Sequence, residues 1–341
     1  MRAISAVDSV SPAIQRTRDF LFRQFNWGTY LKLGLVALIT EGLGSNFQSS
    51  SNHSDTSGHV PMLDAPFDLA PIRIAQGVAM LLLLLVFSGW IFYLITRLRF
   101  AFFHCLTTNT KLIRPGWHIY KEQATRFFWT NLAVGFCYLL VLALVAIPFI
   151  SGFMRLVHET PKGGQPDWTL VLSLVLPLIP IVFLLFVAAV LADIVLRDWL
   201  LPHFALDNAT AGQAWSRVWA SFMAEKRQFI AYILLRLVLP LLAAVCLFVV
   251  LLIPGLVLAG SVAAVELGLH SAFADSTGAS ALVGTLLEVF FGILAFGFML
   301  LASVCLGGPI STGAREYALV FYGGRYQPLG AAMQAQIARS A

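Results

Sequence analysis

The sequence predicts an all-α fold, a polytopic membrane helix bundle with six transmembrane helices and amphipathic helices at the cytoplasmic interface. Three observations predict it. Of 341 residues, 59% are hydrophobic and only 11% charged, against about 25% charged in an ordinary soluble domain. The apolar residues gather into six long stretches, 27–47, 74–96, 127–151, 170–196, 229–260 and 279–306. Each is long enough to cross a hydrocarbon core about 30 Å thick. Nineteen of the 22 Lys and Arg residues fall in four segments that flank these stretches or, for Lys32 and Arg236, reach just inside them; the three alternating segments hold only Arg73, Arg155 and Lys162. Cytoplasmic loops accumulate Lys and Arg, so the alternation predicts both termini in the cytoplasm. Residues 1–341 read as a single membrane domain.

Residues 1–26 are predicted to be an amphipathic segment on the cytoplasmic face. Ser11 and Pro12 suit a helix start, and Ile14, Leu21 and Phe25 recur at helical spacing beside Arg16, Arg18 and Arg23. The first span, 27–47, contains Lys32, which can snorkel to the near interface, and Glu41, which the count places within reach of the far headgroups. The first apolar stretch follows a polar segment with four arginines and has no cleavage pattern, so it is expected to act as its own uncleaved signal. Residues 48–70 are rich in Ser, Asn, Asp and His and lack Lys and Arg. They predict a polar external loop, in which His53, Asp55 and His59 lack a fourth metal ligand and Asn52 opens a glycosylation sequon.

The fifth stretch is 32 residues long, roughly 48 Å as a helix, which exceeds the bilayer core. Pro240 and Pro254 predict kinks or tilt there, with Pro148, Pro177 and Pro180 acting similarly in the third and fourth spans. Trp27, Trp90, Trp129 and Trp199 map to the inner interface and Trp168 to the outer one. Residues 311–341 form a cytoplasmic tail whose Arg315, Tyr317, Phe321, Tyr322, Arg325 and Tyr326 suit headgroups. Residues 74–151 and 170–260 read as two parallel copies of one unit, or as two hairpins of like composition.

Two groups of polar residues stand out. Glu288 lies about nine residues into the sixth span, where a carboxylate is costly unless it is protonated, paired or facing a watery cavity. Ala281, Gly284, Gly292 and Ala295 share its face and would admit a close helix contact. Arg236 enters the fifth span from the cytoplasmic side, with Asp193 and Asp198 as expected partners; Asp193 is also four residues before Arg197, a favourable helical pairing. At the inner interface Trp215, Val218, Trp219, Phe222 and Met223 follow a helical stripe, flanked by Arg217 and Arg227. That helix suits anionic phospholipid headgroups, or docking of another membrane protein.

The exclusions are equally direct. The net charge of +5 lies beside apolar spans and not on a soluble basic face, so no nucleic-acid partner is expected. Cys105, Cys137, Cys246 and Cys305 lie in or beside apolar stretches and predict no disulfide. No Walker A loop, dinucleotide glycine fingerprint, Gly-x-Ser-x-Gly elbow or paired zinc-protease histidines occur. No cofactor, metal or enzymatic activity is expected.

Phe25 to Gly34 (FNWGTYLKLG), Arg197 to Pro202 (RDWLLP), Ala214-Trp215, Phe229 to Tyr232 (FIAY) and the run from Arg315-Glu-Tyr317 to Pro328 carry a likeness. Over about residues 20–328 the chain resembles a prokaryotic membrane-domain family found alone or fused ahead of glycerophosphodiester phosphodiesterases. The resemblance implies a six-helix fold of unknown role. No phosphodiesterase barrel lies within these residues, so it implies no hydrolase activity. The expectation is a non-enzymatic scaffold or accessory protein of the plasma membrane; the alternative is a transporter or channel for a small solute or lipid that uses Glu288.

Overall fold

The computed structural model describes residues 4–23, 25–42, 71–159, 168–273 and 279–340. Helix α1 (Val10–Phe22) leads to α2 (Trp27–Ala37), which continues into a π-helical turn (Leu38–Gly42). Then come α3 (Pro71–Thr108), α4 (Ile113–Ile119), α5 (Lys121–Glu159) and α6 (Trp168–Ile194). A second π turn (Val195–Leu200) joins α6 to α7 (Leu201–Leu206), followed by α8 (Ala211–Ala224), α9 (Lys226–Phe273), α10 (Ala279–Gly323) and α11 (Gln327–Ser340). No strand occurs among the described residues.

Five helical stretches are long and apolar enough to cross a membrane: Gln76–Thr108, Lys121–Met154, Val175–Leu206, Lys226–Val249 and Val283–Gly323. They correspond to the second to sixth predicted spans. The first predicted span contributes only Trp27–Gly42, whose 16 residues rise roughly 24 Å; its remainder lies outside the described residues. Helix α9 runs through Pro240 without interruption, and the excess length expected of this span appears as a helix of 48 residues.

Each long helix has an apolar end and a packed end. Toward the apolar end large side chains face outward, as Leu81, Leu140, Leu184, Leu241 and Phe290 do. This is the pattern of rods whose solvent is lipid. The packed ends meet in an aromatic core in which Phe127 contacts both Phe100 and Phe204, and Phe229 contacts both Trp199 and Phe321. The chain reverses after α3 and after α7 at Asn109 and Asn208, with φ of 52° and 51°. Asparagine tolerates that left-handed conformation because its short amide bonds locally. Each stands five residues beyond a histidine, His104 or His203, so the two segments that read as copies of one unit turn alike.

The chain ends are tied into this core. The Ala6 N–H donates to Gln228 Oε1 at 3.1 Å, Tyr317 OH donates to the Ala6 carbonyl at 3.1 Å, and Arg325 Nη1 donates to the Ile4 carbonyl at 3.1 Å. Helix α1 buries Ala13, Thr17, Phe20 and Leu21, and Arg16 pairs with Glu316 at 2.8 Å. The predicted face holds at Leu21 and is corrected at Ile14 and Phe25, which point outward. The helix also begins at Val10, with no side-chain cap from Ser9.

Two further expectations are corrected. Residues 311–323 are not a headgroup-facing tail but the last turns of α10, where Arg315, Tyr317, Phe321 and Tyr322 are buried. Their basic-aromatic composition matches an interfacial anchor, but α1 and α9 cover them. Close helix contact also occurs elsewhere than at Gly292, where a Cβ would meet nothing within 4 Å. It occurs between α2 and α10, where a Cβ on Gly308 would lie 2.7 Å from Gly34 Cα. The two backbones touch there, and Tyr30 OH donates to the Cys305 carbonyl at 2.6 Å beside them.

Candidate functional site

Where packed end meets apolar end, the two π turns face each other and bring charge into the interior. A π turn widens the helix and leaves a carbonyl without its usual partner. In the second turn the Leu201 N–H bonds the Leu196 carbonyl, and the Arg197 carbonyl instead accepts Arg315 Nη1 at 2.7 Å. Residues Leu196 to Leu200 are all buried, Arg197 and Asp198 among them.

Glu41 of the first π turn accepts from Arg197 Nη1 at 3.2 Å and from Arg236 Nη2 at 2.8 Å. Asp198 Oδ2 accepts from Arg236 Nε at 3.0 Å and Tyr232 OH at 2.7 Å, while its Oδ1 accepts from Arg315 Nη1 at 3.1 Å. Arg197 Nη2 reaches Asp193 at 2.9 and 3.1 Å. Arg99 Nε donates to the Thr40 carbonyl at 3.2 Å. Buried charges survive only when paired and hydrogen-bonded, and here each acid meets at least one arginine. Two arginine nitrogens in the group, Arg197 Nε and Arg315 Nη2, are buried without a hydrogen-bond partner among the described residues.

Part of the group forms the floor of a cavity of about 990 Å³, with Arg99 and Arg315 behind it. Glu41, Asp193, Arg197, Asp198 and Arg236 line it below; Leu237, Leu241, Phe248, Leu252 and Leu256 of α9 line it above, with Gly307 and Ile310 of α10 opposite. Asp193 is the one acid of the floor that is substantially open, its side chain 41% exposed.

The predicted pairings hold in part. Arg236 meets Asp198, and Asp193 meets Arg197 four residues on, so Arg236 and Asp193 share the cluster without touching as partners. Glu41 is corrected: it does not reach far headgroups but closes the cluster, because the chain at Thr40 has risen only to the level of Arg99. The Glu288 side chain lies outside the described residues. Trp215 and Trp219 stand apart from the cavity on α8, each 51% exposed, while Ala214 and Val218 turn inward. Arg227 is exposed, and Arg217 is held by Asp207. The predicted stripe is therefore split between an inward strip and an outward aromatic one. His53, Asp55, His59 and Asn52 also lie outside the described residues; among those described, no group of three His, Cys, Asp or Glu side chains could hold a metal ion.

Sequence reasoning missed Glu41, Arg99 and Arg315 as members of the site. For Glu41 the available signal was an isolated acid inside an apolar stretch; Arg99 and Arg315 lie just beyond the ends of theirs, beside Arg97 and Glu316, and gave no such signal.

Residues 4–331 match a family described as "Family of unknown function (DUF7544)". No curated protein and no solved structure matches the chain. The chain belongs to that family of unknown function.

Proposed function

We propose that this family member is a non-enzymatic accessory protein of the plasma membrane that takes a membrane amphiphile into the cavity between α6, α9 and α10. One observation carries the reading: a charged floor lies directly beneath a hydrocarbon wall. Leu241, Phe248 and Leu256 of that wall are also exposed, so the cavity opens sideways, where lipid would stand. Its volume of about 990 Å³ matches the upper range of ligand pockets, about 300–1,000 Å³. Every acid of the floor is held by arginine, which suits binding a head and not general acid–base chemistry.

The reading includes six crossings with both termini in the cytoplasm. Support comes from parity. Ile4 and Ala6 bond to Arg325, Tyr317 and Gln228, so both chain ends stand at one face. Five crossings alone would separate them, so the reading takes a sixth between Trp27 and Pro71. The Lys and Arg excess assigns that face to the cytoplasm. Trp215, Trp219, Arg217 and Arg227 of α8 then lie at the inner headgroups, and anionic phospholipid is the partner they fit.

The test is lipid retention. Protein purified in mild detergent should keep about one lipid per chain through washing, counted by mass spectrometry of the extract. Ala244→Trp, which fills the cavity from its α9 wall, should lose it. Equal retention by both proteins would overturn the reading.

Transfer of lipid between leaflets is a second reading, favoured by the length of the wall. From Arg236 to Leu256, α9 rises roughly 30 Å, the thickness of the hydrocarbon core. Proteoliposomes carrying a labelled lipid test it; a transfer rate equal to that of empty vesicles would remove it. Glu288→Gln with an undiminished rate would remove Glu288 from any such path.

A further inference from the structure

We infer that the head of the cavity's occupant is anionic and docks on Arg197 and Arg236. This rests on the amphiphile reading above and adds the chemistry of the head. The first argument is charge balance. Arg99, Arg197, Arg236 and Arg315 face Glu41, Asp193 and Asp198, four cations against three anions. The neighbouring pair of Arg16 and Glu316 is neutral and does not change the excess. The unmatched cation is Arg99, which stands behind the floor on the Thr40 carbonyl and does not itself line the cavity; its charge acts on the floor through a low-dielectric interior, where a matching anion gains most.

The second argument is a buried donor without a partner. Arg197 lines the cavity, is 94% buried by its relative exposure of 6%, and its Nε has no hydrogen-bond partner among the described residues. A guanidinium presents its donors as a planar fork matched to phosphate or carboxylate oxygens.

The third is Asp193. Its carboxylate takes the Nη2 side of Arg197 and is the floor's exposed acid, so it competes with an incoming anion for the same guanidinium. A zwitterionic head would gain less, because its ammonium arrives with its phosphate and faces the same arginines.

Purified full-length protein in neutral detergent is equilibrated with equal amounts of phosphatidylglycerol and phosphatidylcholine of identical chains, and of oleic acid. Salt is held at about 0.5 M, where surface headgroup attraction is screened within a few ångströms. Bound lipid is counted by native mass spectrometry. The expected result is one anionic lipid per chain, favoured over phosphatidylcholine by about tenfold or more, as an excess of one positive charge in the cluster allows. Phosphatidylglycerol above oleate assigns the head as phosphate; the reverse order assigns carboxylate. Asp193→Asn removes the competitor and should raise the anionic preference by about threefold or more. Arg236→Gln should abolish it; should that protein fail to fold, Asp193→Asn decides, because its side chain is 41% exposed and its ion pair is with Arg197 four residues on. Equal occupancy by phosphatidylglycerol and phosphatidylcholine, or an unchanged ratio in Asp193→Asn, overturns the inference and leaves the cavity reading standing. Retention of no lipid of any class overturns both.

Discussion

Glu41 and Arg236 meet at 2.8 Å across 195 residues of chain. One comes from a short helix entering the bundle and the other from its longest helix. Their contact joins both π turns, α9 and α10 through a single carboxylate, because Glu41 also holds Arg197 and lies 4.0 Å from Arg315. The cluster is both a structural joint and the floor of the cavity.

Breaking that joint from one side should be costly. Glu41→Gln and Arg236→Gln are each expected to destabilise the fold by roughly 3–5 kcal/mol, since each strands a buried partner charge. The double substitution should cost clearly less than the two single losses together. Denaturation in micelles measures all three proteins; strict additivity would show that the pair is not coupled.

Helix contact at Gly308 gives a second expectation. A Cβ there would lie 2.7 Å from Gly34 Cα, so Gly308→Ala must push α2 off α10 and should cost roughly 1–3 kcal/mol. Gly292→Ala meets open space and should be neutral, or stabilising by about 0.5–1 kcal/mol through helix propensity. Thermal melts of the two variants in one detergent rank them, and equal melting would refute the contact.

Topology is open to labelling. In a background lacking the four native cysteines, Ser50→Cys should react with an impermeant maleimide on intact cells, and Ser340→Cys only after permeabilisation. Reaction of both from outside would exclude six crossings with cytoplasmic ends.

Much of the fold was legible because apolar length and charge spacing are local properties. The Asp193–Arg197 pair followed from helical periodicity alone, and Arg236 with Asp198 from their shared inner position. Glu41 was misplaced because depth was counted from Trp27 as if the bilayer began there. The helices in fact extend through a packed end before reaching lipid, so 14 residues of chain bring Glu41 only to the arginines. Arg315 and Tyr317 were misplaced for a different reason. A basic-aromatic run has the same composition whether it faces headgroups or a protein core, and only the cover provided by α1 and α9 distinguishes the two.

Chain composition by itself determined an all-helical protein made for lipid, with its cations biased toward alternate connections, because transfer of apolar surface and of charge is additive along a chain. Tertiary packing decided which charges would meet. Glu41, Asp198 and four arginines come from distant segments, and each tolerates burial only through the others. Their grouping, and the cavity above it, exists only once the helices are placed side by side.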